Sequence, residues 1–591
     1  MADEHVSLAK AGSSKGMIMK ALRNVSHTKV VHLSMLFLTL FFSLASLASC
    51  TQPEPALTSL NLGIPAAALR SPVKGKLPDN TELHIGITFK IDPRLLHQAD
   101  QQRIQPGQPT PPGGLGIDNG VFAKIKAFFQ GIDMHLSKLR TYVSFQAKAG
   151  TLARLLQTTF VIHLYKGRTF YAPSTPPKVP TDFAYTIDAI TGLDNYSQPP
   201  RHDLHITYPQ KSHVSQHAAL DCSPDSQTLT VGDVAGAYGY DQLWQRGLRG
   251  QHMTINLVEV DGSYQDDIQN YLGCIHFQGH LSFVNIDGHP SDAQGESTLD
   301  IQMAAGLAPA ASLVVYQTDG NADGDTWVQV NDELQRIIDN NVSTPNAGSL
   351  VSISLGIDEG SITSNNVRAL DKSLQQLTLL ENMTVFVASG DCGAFADETY
   401  GDLSISFPAS DPWAVAVGGT ELSINSQQQR TDEVVWSSQS PNFAHCKNSW
   451  GSGGGNSTLF QHSGWQNARG VNNKYSKNYR QVPDVAGAAD NVAVYFQQQW
   501  AAMAGTSVAA PIWATGQALV NEDTIAHVGI VGYGPQLYYA VADENAGGKA
   551  YFDVTQGDNL YYPATPGWDF ATGLGTPNLA NFDQAVFNTL Q

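Results

Sequence analysis

MTINLVEV, residues 253–260, is an apolar run of strand length, and its reading decides the fold. Working outward, SLVVYQ (312–317), SLVSISLG (349–356) and MTVFVASGD (383–391) repeat the pattern. STLDIQMAAGLA (297–308) and ALDKSLQQLTLLEN (369–382) carry helical spacing among them. Such alternation implies an α/β domain built on a parallel, doubly wound sheet. In these sheets active-site groups gather beyond the C-terminal strand ends, which is where MTVFVASGD delivers Asp391. Composition changes at Leu229, so the domain is set at 229–591.

AMAGTSVAAP (502–511) places one serine between Gly-Thr and an alanine-rich segment, the way a subtilase-type hydrolase presents its nucleophile. As a plain structural element Ser507 would be a helix N-cap. A hydrolytic serine needs a base, and no His-Gly-Thr occurs in the chain. Carboxylates supply the candidates. GESTLD puts Glu296 and Asp300 four residues apart, on one face of a helix. Their mutual repulsion is expected to push one pKa up and the other down. A histidine base is protonated in acid, below about 6.5, whereas a carboxylate still accepts a proton there. Asp391 can donate to an oxyanion only when protonated. All three signals ask for acid conditions.

Upstream, ELHIGITFKID (82–92) alternates like a strand. VFAKIKAFFQGI (121–132) and GTLARLLQTTF (150–160) read as amphipathic helices, and IHLYKGRTFYAP (162–173) as a hairpin. This gives a small α+β module over 76–200, with 51–75 read as a linker and 201–228 as an exposed, nickable connector containing His205, His213 and His217. GSGGGNS (451–457) reads as a flexible loop.

The chain has 591 residues, 42% hydrophobic and 15% charged, which suits a globular protein of more than one domain. Its formal net charge is −19, which argues against nucleic acid as a partner. Lys10, Lys15, Lys20, Arg23 and Lys29 precede the apolar run VVHLSMLFLTLFFSLASLAS, the layout of an export signal over 1–50. LASC (47–50) is similar to a lipobox, with Cys50 the lipidation candidate. An uncleaved membrane anchor is the alternative. Sequence order suggests the disulfides Cys222–Cys274 and Cys392–Cys446, in the oxidising setting that export provides.

GESTLD, VASGDCG, GSGGGNSTLFQHSGWQ, RQVPDVAGAAD, AGTSVAAPIWA, FDVTQGDN and PGWDFATGLGTPN together resemble the sedolisins, or serine-carboxyl peptidases, of the pro-kumamolisin type. The resemblance covers most of 229–591 and extends more loosely to the N-terminal module, as an activation propeptide. It implies a subtilisin-like mostly parallel sheet with helices on both faces, preceded by a ferredoxin-like prodomain. It further implies an acid-active secreted endopeptidase, made as a self-processed zymogen that its own propeptide inhibits. Ser507 is then the nucleophile, Glu296 the base, Asp300 its orienting carboxylate and Asp391 the oxyanion donor. Glu259 extends the network, while Leu355 stands where kumamolisin-like members have Trp. One structural Ca2+ is implied at Asp553 and Asp569 with the carbonyls of Val554, Thr565 and Gly567, a hard oxygen set. Two other readings stay open: a neutral subtilase with His289 as base, and a non-enzymatic surface-binding protein on an inactive scaffold.

Overall fold

The computed structural model describes residues 56–96, 115–197, 205–208, 222, 224, 228–320, 324–343, 348–396, 401–438, 449–529, 534–543 and 550–591. The export signal, Cys50, His213 and His217 lie outside the described residues. Among the described residues no helix is long and apolar enough to cross a membrane.

The central sheet runs, edge to edge, through His280–Asn285, Ser312–Gln317, Thr254–Glu259, Leu350–Ile353, Thr384–Ala388 and Ala414–Ile424, all parallel. Arg430–Val435 closes one edge antiparallel, and Val485–Ala488 joins the later half of Ala414–Ile424. Strand alternation sends Ile255 and Leu257 into one apolar layer, and Val258 and Val260 into the other. The first layer holds helices Glu296–Leu307 and Thr506–His527; the second holds Thr326–Ser343 and Ser364–Leu379. Burial on both faces explains why these strands read as continuous apolar runs.

The N-terminal module is a four-stranded sheet in the order His135–Leu136, Tyr142–Lys148, Glu82–Phe89, Ile187–Thr191. All neighbours are antiparallel. Helices Asn119–Phe128 and Ala149–Leu155 make the crossovers, so the expected ferredoxin-like arrangement is present. The segment read as a linker, 51–75, is different. Leu57–Ser59 pairs with Lys178–Pro180, and Val73–Lys76 with Phe160–Tyr165. Its short strands are too brief and too Pro-interrupted to show a period.

The module sits on helices Thr326–Ser343 and Ser364–Leu379. Thr141 Oγ1 donates to Gln376 Oε1 (2.7 Å), Asn365 Nδ2 to the Ile190 carbonyl (2.8 Å) and Lys138 N to Asp339 Oδ1 (2.7 Å). His84 lies 2.7 Å from Asp332 and 3.5 Å from Asp287. The Cys222–Cys274 disulfide forms as expected. Cys392 is also disulfide-bonded; its expected partner Cys446 lies outside the described residues.

Candidate active site

Ser507 is the second residue of helix Thr506–His527, which opens at Gly505. Gly505 has φ of +152°, a conformation that favours glycine, and a Cβ there would lie 2.9 Å from Asp391 Oδ2. Pro511 has no N–H to give the carbonyl four residues back. That carbonyl is Ser507's own, and it accepts instead from Ser354 Oγ at 3.4 Å. The proline thus ties the serine turn to the end of strand Leu350–Ile353.

Helix Glu296–Leu307 starts at Gly295, with φ of +123°. Asp261, just past strand Thr254–Glu259, satisfies its first amides by accepting from Gln294 N, Gly295 N (both 3.1 Å) and Ser297 N (3.2 Å). Glu296, Asp300 and Glu259 are all fully buried. The Ser507 side chain lies beside Glu296 and acts on its pKa, and Ser354 and Glu259 lie beside Asp300 and act on its pKa. The structure therefore brings together the serine and the three network carboxyls named from sequence.

Their electrostatics differ from the expectation of one pKa raised and one lowered. Burial first, and the Asp300 charge second, hold Glu296 well above its ordinary value, with the neighbouring Ser507 hydroxyl pulling it down. Burial pushes Asp300 up to about 8 against the opposing influence of the neighbouring Ser354 and Glu259 side chains. Glu259 is raised by burial, then by Asp300. With no cation in these interactions, desolvation outweighs any splitting by repulsion. The three groups share few charges and titrate as one unit.

Asp391 follows strand Thr384–Ala388 and is 7% exposed. Its Oδ1 accepts from both the amide and the hydroxyl of Thr506, at 2.7 Å each, and its Oδ2 lies on the Gly505 side. The flexible loop expected at GSGGGNS is a buried, close-packed segment. Gly451 N donates to the Asp391 carbonyl and Gly453 N to that of Gly390, both at 2.8 Å. A Cβ on Gly453 would fall 2.1 Å from the Ser389 carbonyl oxygen. These glycines are there for backbone contact.

At the C-terminal loop, Gly567 N donates to Asp553 Oδ2 (3.0 Å) and Thr565 N to Asp569 Oδ2 (2.8 Å). Asp569 Oδ1 takes the Ala571 and Thr572 amides at 2.9 Å. The two carboxylates thus bracket one short turn, with Val554 buried beneath it. Burial pushes Asp569 up to about 7. An all-oxygen donor set that includes the buried Asp569 fits a hard cation. Among the described residues, the one trio of His, Cys, Asp or Glu spaced for a metal is His84, Asp287 and Asp332.

Leu355 packs in the same apolar layer as Ile353 and Ile357, and the network still reaches Glu259. His289 is exposed, and the ionisable group beside Ser507 is the Glu296 carboxyl. Two residues escaped the sequence reading: Asp261 and Ser354. Each works through a backbone amide or a single hydroxyl, and such roles leave no pattern in composition or period.

A subtilisin-type sheet that delivers a serine to a buried carboxyl at its strand ends defines a serine-type peptidase. The profile of the pro-kumamolisin activation domain matches residues 119–196, and that of the subtilase family matches 287–527. Kumamolisin of Bacillus sp. (strain MN-32) is 30% identical over 424 residues, 68% of this chain and 70% of its own. Sedolisin of Pseudomonas sp. (strain 101) is 25% identical over 542 residues, 85% and 87% of the two chains. The solved Pseudomonas sedolisin complexed with two molecules of pseudo-iodotyrostatin shares the fold, at a TM-score of 0.53 and 24% identity. The match covers 61% of this chain and 98% of that one. The chain belongs to the kumamolisin–sedolisin family of serine-carboxyl peptidases, with a propeptide of the pro-kumamolisin type.

Proposed function

We propose that the chain is an acid-active, exported endopeptidase whose chemistry runs through Ser507, Glu296 and Asp300. The supporting observation is Ser507 beside the fully buried Glu296, with Asp300 one turn further along the same helix. Ser507 Oγ attacks the peptide carbonyl carbon while its proton passes to Glu296. Asp300, beside Ser354 and Glu259, orients Glu296 and spreads the charge that develops. Protonated Asp391 donates from Oδ2 to the oxyanion, its other oxygen being held by Thr506. The C–N bond then breaks, the leaving amine takes the proton from Glu296, and water repeats the sequence on the acyl-enzyme.

The raised pKa of Glu296 has a sign consequence. It is a stronger base when ionised, but it is mostly protonated well below its raised value. The acid limb of activity then lies higher than for a free glutamate at about 4.3.

In this reading Asp553, Asp569 and the carbonyls of Val554, Thr565 and Gly567 would hold a structural Ca2+, which would neutralise the buried Asp569 carboxylate. Residues 1–50 direct export, and Cys50 is the lipidation site, so maturation in the connector frees the peptidase from its anchor. Protein substrates and the chain's own propeptide are the partners. The test is cleavage of a denatured protein from about pH 3 to 7. Ser507→Ala and Glu296→Gln should each lose about 10³-fold or more in kcat at unchanged folding. Full activity in either variant, or an optimum at neutral pH, would overturn the proposal.

A further inference from the structure

We propose that strand Gln499–Ala504 is the docking edge for the part of a peptide substrate that leaves after cleavage, and that Trp450 is its subsite for a ring side chain. The connector strand His205–Thr207 lies antiparallel along this edge, with His205 opposite Ala504, Ile206 opposite Met503 and Thr207 opposite Ala502. Ala504 stands three residues before Ser507, so His205 is at the catalytic end. From there the chain runs away from Ser507: Tyr208 donates its hydroxyl to Gln497 Oε1 (3.3 Å) at the far end of the Val492–Phe496/Gln499–Ala504 hairpin. A polypeptide in this direction carries the residues after its scissile bond along Gln499–Ala504.

The docking edge is one hydrogen-bonding ribbon with the helix that carries Ser507, because Gln499–Ala504 leads straight through Gly505 into Thr506. Backbone pairing of this kind accepts any sequence, so selectivity has to come from side chains. The His205 ring stacks on the Trp450 ring, centroids 5.8 Å apart and planes inclined by 17°. Asp490 also attracts His205 electrostatically. Trp450 is held in place by its own strand, since Gly451 N donates to the Asp391 carbonyl. The subsite is therefore built on the same backbone that positions the proposed oxyanion donor. A histidine or aromatic residue within about three positions after the cut fits it, given a rise of roughly 3.3 Å per extended residue.

This inference rests on the peptidase reading above, and the test separates the two. Acid-processed protein is given quenched peptides with a constant acyl half and His, Phe, Ala or Gly at each of the first three leaving positions. At one position His and Phe should raise kcat/KM about 2- to 10-fold over Ala, the range of ring–ring pairs. Trp450→Leu should erase that preference, and Trp450→Phe should retain it. Equal preference in wild type and Trp450→Leu, or no ring preference at any of the three positions, overturns the subsite while leaving the peptidase intact. Absence of any Ser507-dependent cleavage overturns both.

Discussion

Asp569→Asn, made in the Ser507→Ala chain to prevent self-digestion, isolates the energetics of the C-terminal loop. Asp569 is 2% exposed and accepts from Thr565 N on Oδ2 and from Ala571 N, Thr572 N and Thr572 Oγ1 on Oδ1. Despite these bonds, burial pushes its pKa up to about 7 from 3.8. That difference of about 3 in pH corresponds to ~4 kcal/mol, at ~1.36 kcal/mol for each tenfold change in proton affinity. The folded state holds the proton more tightly than the unfolded state. This stabilisation is therefore complete below about pH 4 and disappears as pH rises through about 7. Asparagine cannot titrate, and its amide would face the Thr565 N–H, a constant cost of about 1–2 kcal/mol. In guanidinium unfolding with EDTA, the variant should be the less stable protein near pH 4 and the more stable by ~2 kcal/mol near pH 8. Adding Ca2+ at the higher pH should reverse that order, because the ion takes the place of the proton. Parallel stability curves across pH in EDTA would refute the burial argument, and indifference to Ca2+ would refute the ion.

Asp300→Asn removes the second-largest influence raising Glu296. The acid limb of kcat/KM should move to lower pH, while kcat falls about 10²- to 10⁴-fold, as pH–rate profiles would show. Gly453→Ala drives a Cβ against the Ser389 and Gly390 carbonyl oxygens. Those are backbone atoms, so a loss of about 2–3 kcal/mol in unfolding experiments is expected, together with weakened activity through Asp391. At the prodomain contact, burial lowers the pKa of His84, but Asp332 and Asp287 together outweigh it and the net direction is up. Its stabilisation is present below about 6.5 and lost as pH rises through the raised value. In the Ser507→Ala chain, protection of Glu82–Phe89 against hydrogen exchange, corrected for the intrinsic rise of amide exchange with pH, should therefore fall above neutrality, and His84→Ala should remove that fall.

The parts of the site that sequence made legible are those that need a particular functional group. A serine after Gly-Thr, two carboxyls one helical turn apart and an aspartate at a strand end are chemical requirements, and all four side chains converge here. What stayed hidden depends on tertiary neighbours. The pKa pattern could not be read from the Glu296–Asp300 spacing, because it follows from complete burial without a compensating cation. Gly453 and Gly454 read as flexible since glycine permits both freedom and close approach, and only the Ser389 and Phe570 carbonyls opposite them select the second. Asp261 and Ser354 were invisible because the atoms they serve are backbone amides and a carbonyl freed by Pro511.

The two N-terminal contacts with the peptidase domain respond differently to acid. The folded module rests on helices Thr326–Ser343 and Ser364–Leu379, where burial raises Asp287 to about 6 and His84 is raised as well. Both shifts mean that proton uptake favours the docked state. Acid therefore tightens this contact, and histidine protonation at His84 cannot be the release signal that an acid-triggered zymogen would need. The connector strand is held mainly by backbone pairing and one ring stack beside Ser507, a contact that a single peptide-bond cut upstream would convert from a tether into a departing product. In the proposed zymogen the trigger thus belongs to the carboxyl network that performs the cut, and release of the module follows cleavage of the connector.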